Sequence, residues 1–264
     1  MLGGNTRFLA LTSSSFHTQR LVAKPASIQL FKEEPIPILH EDRAILAIDK
    51  PAGWMLVPFS WQRTNRNLQA AITSSIGAGH FWARSRGIRF LKYIHRLDAG
   101  TTGILLFAKT QGALDTFGDL FESREVAKVY LATTLFEPPQ AEWTCRARLG
   151  PHPEQHGLMR VDRNGKEAET SFRVVASVEG VHLIEARPLT GRQHQIRLHL
   201  VESGCPIIGD ELYGEAEDAA MGLRAVGLAY RDPFTGKPVE IRAPADEFLD
   251  YFGFQPDVFS VRFA

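Results

Sequence analysis

The chain is short of several things, and each shortage excludes a class of protein. Its 264 residues hold only two cysteines, Cys145 and Cys205, with no second cysteine at metal-ligand spacing beside either. A disulfide-built secreted scaffold and a cysteine metal site are therefore excluded. The thiols read as free in a reducing compartment, with one disulfide as the alternative. No apolar run approaches the ~20 residues a membrane helix needs, so the chain reads as soluble, with no membrane partner. Net charge is absent as well, 30 basic against 30 acidic residues. Any polyanion must then be met by a local basic surface, not by the field of the whole molecule. There is no internal repeat, no heptad pattern and no low-complexity tract.

What is present is the composition of an ordinary globular protein long enough for a sizeable core. Residues 1–32 stand apart: they carry Arg7, Arg20, Lys24 and Lys32 and have no acidic residue before Glu33. They read as a disordered extension or an upstream start, with an organelle transit peptide as the alternative. Residues 33–264 then form one domain, and the expected location is the cytoplasm, bacterial in the first instance. Apolar runs predict strands at 44–48, 104–108, 126–135, 170–178, 181–188, 226–230 and 239–242. Helical spacing predicts helices at 66–76, 111–124 and 192–202, the last capped by Thr190. Residues 150–165 read as a loop or hairpin, and a Gly- and Arg-rich loop is expected before residue 98. Strands outnumber helices, which indicates a mixed α+β domain.

One stretch carries chemistry. His95-Arg96-Leu97-Asp98-Ala99-Gly100-Thr101-Thr102-Gly103 sets one carboxylate in a turn just ahead of the apolar run 104–108. Upstream, Arg84, Arg86, Arg89, Lys92 and Arg96 bring positive charge and no acid intervenes. Taken alone, Asp-Ala-Gly before a strand is an ordinary turn signal. A second segment changes that reading: Pro188-Leu189-Thr190-Gly191-Arg192-Gln193-His194-Gln195-Ile196-Arg197-Leu198-His199-Leu200. His194 and His199 are five apart on the expected helix, which is the wrong spacing for shared metal ligation, so no metal site is expected.

Together the two segments resemble the RluA-like family of RNA pseudouridine synthases. The resemblance extends to Asp49-Lys50-Pro51-Ala52-Gly53, Lys128-Val129-Tyr130-Leu131-Ala132 and Gly209-Asp210-Glu211-Leu212-Tyr213-Gly214, in the family's order, and spans residues 38–245. It implies a single catalytic domain built on a large mixed, mostly antiparallel sheet with a central cleft and flanking helices. It also implies isomerisation of a uridine in rRNA or tRNA to pseudouridine. That reaction needs no redox change and no outside group, hence no cofactor and no metal. The nucleophile would be Asp98, with Tyr130 against the base and Arg197 as partner of the carboxylate, a guanidinium offering a fixed fork for it. Arg96, Lys128, Arg192 and His194 would contact RNA, with Arg96 either filling the space of an extruded base or gripping a phosphate.

Four positions depart from the family pattern: Thr102 for serine, Gln193 for threonine, Val57-Pro58-Phe59 without its histidine, and Arg224 for histidine. They suggest altered RNA contacts. No S4-like module is expected ahead of the catalytic part, and the expected state is a monomer. Two other readings compete. One is an RNA-binding or RNA-folding protein on the same scaffold without catalysis. The other is a sugar hydrolase pairing Asp98 with Asp49 or Asp210.

Overall fold

The computed structural model describes residues 23–30, 34–56, 66–214 and 219–263. The first half of the chain runs β1 (Ser27–Ile28), β2 (Ile36–Glu41), β3 (Ile45–Lys50), α1 (Leu68–Gly77), α2 (Phe81–Arg84), β4 (Lys92–Tyr93), β5 (Thr102–Ala108) and α3 (Gln111–Glu122). The second half runs β6 (Ala127–Thr134), β7 (Glu142–Cys145), β8 (Leu149–Pro151), β9 (Met159–Val161), β10 (Thr170–Val178), β11 (Val181–Pro188), α4 (Gln195–Glu202), β12 (Leu223–Arg231), β13 (Pro238–Arg242) and α5 (Asp246–Tyr251).

Among the described residues one sheet of 11 strands holds the molecule together, in the order β1-β2-β3-β5-β12-β6-β11-β10-β7, with β4 on β5 and β13 on β12. Every pairing is antiparallel except β5 with β12, where Arg224 faces Thr102 and Ala225 faces Gly103. The α+β class with a mixed, mostly antiparallel sheet is thus the architecture of the chain. The hairpin β8–β9 stands apart as a two-stranded sheet. The apolar runs become strands because both sheet faces are covered: β3 and β5 are buried along nearly their whole length.

The covering produces two main cores. One joins β3, β5 and α1 through residues such as Ile48, Leu106 and Leu68. The other joins β11 to α4 through Ile184, Ile196 and Leu200. Tyr130 packs against both, so it lies on the seam between them.

Several boundaries differ from those the sequence suggests. Of the expected N-terminal extension, residues 23–30 are described and belong to the fold: β1 pairs with β2, and Ile28 and Leu30 are buried in the first core. Their apolar side chains fall outside any long periodic run, which hides them in the sequence. The expected loop before residue 98 contains α2 and β4, which pairs Lys92 with Ala108 and Tyr93 with Phe107. Helix α4 starts at Gln195, not residue 192, and Thr190 does not cap it. The Thr190 hydroxyl instead donates to Gln195 Oε1 (2.7 Å), and His194 takes a left-handed backbone (φ 56°) before the first helical turn. The Val57-Pro58-Phe59 departure lies outside the described residues.

Gly103 shows how tightly the sheet closes beneath residue 98. Its φ is +106°, and a Cβ there would stand 2.1 Å from the Ala225 carbonyl oxygen. Gly103→Ala should therefore lower unfolding stability by at least about 2 kcal/mol, from strained backbone and overpacking together. Urea unfolding with an unchanged midpoint would contradict this account.

Candidate active site

Asp98 sits in the loop just ahead of β5, and that loop is held from below. Lys50, the last residue of β3, is fully buried, and its Nζ donates to the carbonyls of Pro51 (3.0 Å), Ala99 (3.1 Å) and Thr101 (2.8 Å). The Gly53 amide adds a bond to Ala99 O at 2.8 Å. Burial pushes the Lys50 ammonium down to about 8, with the charge of Asp98 acting the other way. From the other side, His95 Nε2 accepts from the Leu106 amide at 3.2 Å and its ring stacks on Phe121. Burial, aided by the nearby Lys128 charge, pushes His95 down to about 3, so it is a neutral acceptor that ties the approach to Asp98 onto β5.

The Asp98 carboxylate meets α4. Arg197 Nη1 donates to Asp98 Oδ2 at 2.9 Å, while Arg197 Nε and Nη2 donate to Asp210 at 2.7 and 2.6 Å. Asp210 Oδ1 also accepts the amides of Leu212 (3.0 Å) and Tyr213 (3.2 Å). The guanidinium lies under the Tyr213 ring, 4.8 Å from its centroid. Asp98 and Asp210 are thus brought close, but with Arg197 between them and both Asp210 oxygens engaged by donors. Asp210 is also only 1% exposed and does not border the cleft over Asp98, which removes the support for a hydrolase carboxylate pair. Asp49 is likewise engaged, its Oδ2 accepting from Arg224 Nη2 at 2.7 Å.

A cleft of about 600 Å³ opens over Asp98, lined on one side by Arg96, Lys128 and Tyr130 and on the other by Arg192, His194 and Arg197. All seven residues that the sequence singled out therefore border one space. Tyr130 is partly buried, and burial together with the Asp98 charge pushes its hydroxyl well above the ordinary value, so it stays protonated. Lys128 donates to Thr190 O at 3.0 Å, and burial pushes its ammonium down to about 8. Arg96 is exposed at the cleft mouth. Arg192 donates to Glu167 O at 2.9 Å. His194 lies deeper: its side chain is only 8% exposed, and Nε2 stands 3.6 Å from Asp98 Oδ1.

Arg124 also lines the cleft, but three other arginines do not. Arg86 is 4% exposed, pairs with Glu41 at 2.8 Å and donates to the carbonyls of Trp82 and Pro25. Arg187 pairs with Glu185 at 2.7 Å on β11. Arg224, expected to alter RNA contacts, instead braces Asp49 and the Pro244 carbonyl. Local sequence shows a charge but not its partner: those of Arg86 and Arg224 lie mostly on other elements, and Glu185 is near Arg187 in the chain but is told apart from other acids only by the fold.

A family model described as RNA pseudouridylate synthase matches residues 44–202. The chain belongs to the RNA pseudouridylate synthase family. It is 34% identical over 226 residues to ribosomal large subunit pseudouridine synthase C of Vibrio vulnificus (strain CMCP6), covering 81% of this chain and 67% of the relative. The enzyme of the same name from Escherichia coli (strain K12) is 33% identical over 225 residues, covering 80% of this chain and 67% of the relative. Among solved structures, human RNA pseudouridylate synthase domain containing 4 superposes with a TM-score of 0.64 at 23% identity, covering 81% of this chain and 90% of that one. That likeness is one of fold. As a member of this family, the chain is an isomerase acting on RNA.

Three residues of this RNA pseudouridylate synthase were quoted as parts of motifs without a role at its centre: Lys50, Asp210 as partner of Arg197, and Tyr213. A signal for the first is a lysine closing an otherwise apolar strand. The other two had none that was local, because their partners lie on α4.

Two outcomes follow from these contacts. Arg197→Met should cost about 3–5 kcal/mol of stability, because it strands the buried Asp210 carboxylate; denaturant unfolding measures this. Lys128 carries its proton below about pH 8 and loses it above, so RNA affinity at low salt should fall as pH rises through that value. Filter binding at pH 7 and pH 9 should show a smaller fall in Lys128→Gln; an equal fall in both proteins would contradict the assignment.

Proposed function

We propose that the chain converts a uridine of ribosomal RNA into pseudouridine, with Asp98 as the nucleophile. The observation that carries this reading is the Asp98 carboxylate in the lining of an open cleft that Tyr130 also borders, with one of its oxygens held by the buried Arg197. The names of the bacterial relatives support large-subunit rRNA as the substrate, and a bacterial cytoplasmic setting with it. We take the enzyme to act as a monomer.

The chemistry fits the groups present. The N1–C1′ bond of the uridine breaks, the uracil turns, and a C5–C1′ bond forms. C5 loses its proton and N1 gains one, so atoms and charge balance without an oxidant or a second substrate. Asp98 bonds transiently to the substrate and leaves again as a carboxylate. Arg197 stabilises that charge in both free states, and the fork keeps the oxygen aimed while the base moves. Tyr130, protonated on the seam of the two cores, offers a flat face to the uracil and a hydroxyl at its edge. Arg96 and Arg192 at the rim and Lys128 in the wall supply charge for the phosphates of the extruded nucleotide.

The test is pseudouridine formation on large-subunit rRNA and on total tRNA from cells lacking the protein, read by carbodiimide primer extension. Wild type should restore one or more sites in rRNA, and Asp98→Asn should reduce turnover by at least ~1,000-fold while binding the same RNA. Undiminished turnover in that variant would overturn the nucleophile. Restoration confined to tRNA would overturn the rRNA assignment.

A further inference from the structure

His194 was expected to touch RNA, yet its ring is turned inward onto two other side chains. Nδ1 lies 2.7 Å from the Tyr213 hydroxyl, and Nε2 lies 3.6 Å from Asp98 Oδ1. The Tyr213 oxygen already accepts the Met159 amide at 2.8 Å. The phenol proton is free to go to Nδ1, and in that arrangement Nδ1 accepts and the imidazole's own proton is on Nε2. Burial holds the ring below the ordinary histidine value, the Asp98 and Asp210 charges opposing it and those of Arg197 and Arg96 adding to it. Such a neutral imidazole would present its N–H to Asp98 Oδ1 across the 3.6 Å gap.

The distance to Asp98 is outside hydrogen-bond range, but a shift of about 0.5 Å closes it, and catalytic contacts commonly tighten only when substrate is bound. Asp98 Oδ2 is taken by Arg197. Oδ1 has no hydrogen bond among the described residues. The β8–β9 hairpin is tied to the residues around this contact, to Tyr213 through Met159 and to the segment before α4 through Gln193 Nε2 on Gly157 O at 2.9 Å.

We propose that His194 is a positioning residue for the nucleophile: its Nε2–H engages Asp98 Oδ1 when RNA fills the cleft, and Tyr213 fixes the tautomer that allows it. Arg197 and His194 then hold one carboxylate oxygen each. Every such oxygen has two lone pairs, so one remains free for attack, and both donors stabilise the carboxylate as it departs. The inference rests on Asp98 being the nucleophile.

The experiment has one arm that needs turnover and one that does not. In single- and multiple-turnover assays on an rRNA transcript, His194→Asn keeps a residue tolerant of the left-handed backbone but stops short of Asp98. It should lower kcat about 10- to 100-fold, the cost of a misplaced reacting group, with KM and RNA affinity nearly unchanged. His194→Gln, which restores a donor near the Nε2 position, should recover much of that loss. A raised KM or weaker RNA binding at unchanged kcat would overturn the proposal and make His194 an RNA contact. In the RNA-free protein, ¹⁵N imidazole spectra should place the His194 proton on Nε2, and Tyr213→Phe should shift it toward a mixture of tautomers. A proton on Nδ1 in the wild type would overturn the proposal. A wild type inactive on every RNA would overturn the proposed function, and the spectra would still decide the tautomer.

Discussion

The Arg197 guanidinium, buried and shared between Asp98 and Asp210, is the interaction on which the rest of this molecule is arranged. A charge taken out of water is tolerated only when its donors are met, and here three nitrogens of one planar group are met by two carboxylates from distant parts of the chain. The arrangement works only if α4 is held to within a fraction of an ångström. Six consecutive residues of that helix, Gln195 to Leu200, are buried. Its polar members are each satisfied from inside: Gln195 by Thr190, Glu169 and Thr170, and His199 by Thr170 and Ala147. Such a network fixes the helix in rotation as well as position, which apolar packing alone would leave looser.

The carboxylate loop is fixed by the same means. Lys50 spreads one buried ammonium over three loop carbonyls, and Arg224 ties the neighbouring Asp49 to β12 across the start of β5. A loop of small residues would otherwise move freely, and a nucleophile on it would lose its aim. Cations in this protein thus divide into two groups. Lys50, Arg86, Arg197 and Arg224 hold the frame, while Arg96, Lys128 and Arg192 border the open cleft. A chain with zero net charge can act on a polyanion because the first group is met by partners inside the fold, while the second borders one open space.

Much of this was legible beforehand, and the reason is locality. Strands at 170–178 and 181–188 follow from apolar composition and a Glu-Gly turn, and they stand where expected. The apolar stripe of α3 likewise announces its helix. The start of α4 was misplaced because Thr190 has the chemistry of a cap, yet its hydroxyl is used by Gln195, a partner no propensity can foresee. The seven residues named in advance do border one cleft, because the motifs that carry them lie at the ends of strands that the sheet brings side by side.

The sequence by itself determined the class of fold, most of its longer strands and helices and, through the resemblance its motifs carry, the chemical types at the centre: one carboxylate, one arginine, one tyrosine. The elements depend on periods of two or 3.6 residues, which are read over short windows, and the centre on motifs whose order resembles the family's. The tertiary structure alone decided the pairings. It put Arg197 between Asp98 and Asp210, turned His194 inward, sank Lys50 beneath the loop and withdrew Arg86 and Arg224 from the surface. Each of those depends on contacts between residues far apart in the chain, such as the 99 positions that separate Asp98 from Arg197, and on which donors are left unsatisfied once the sheet has closed.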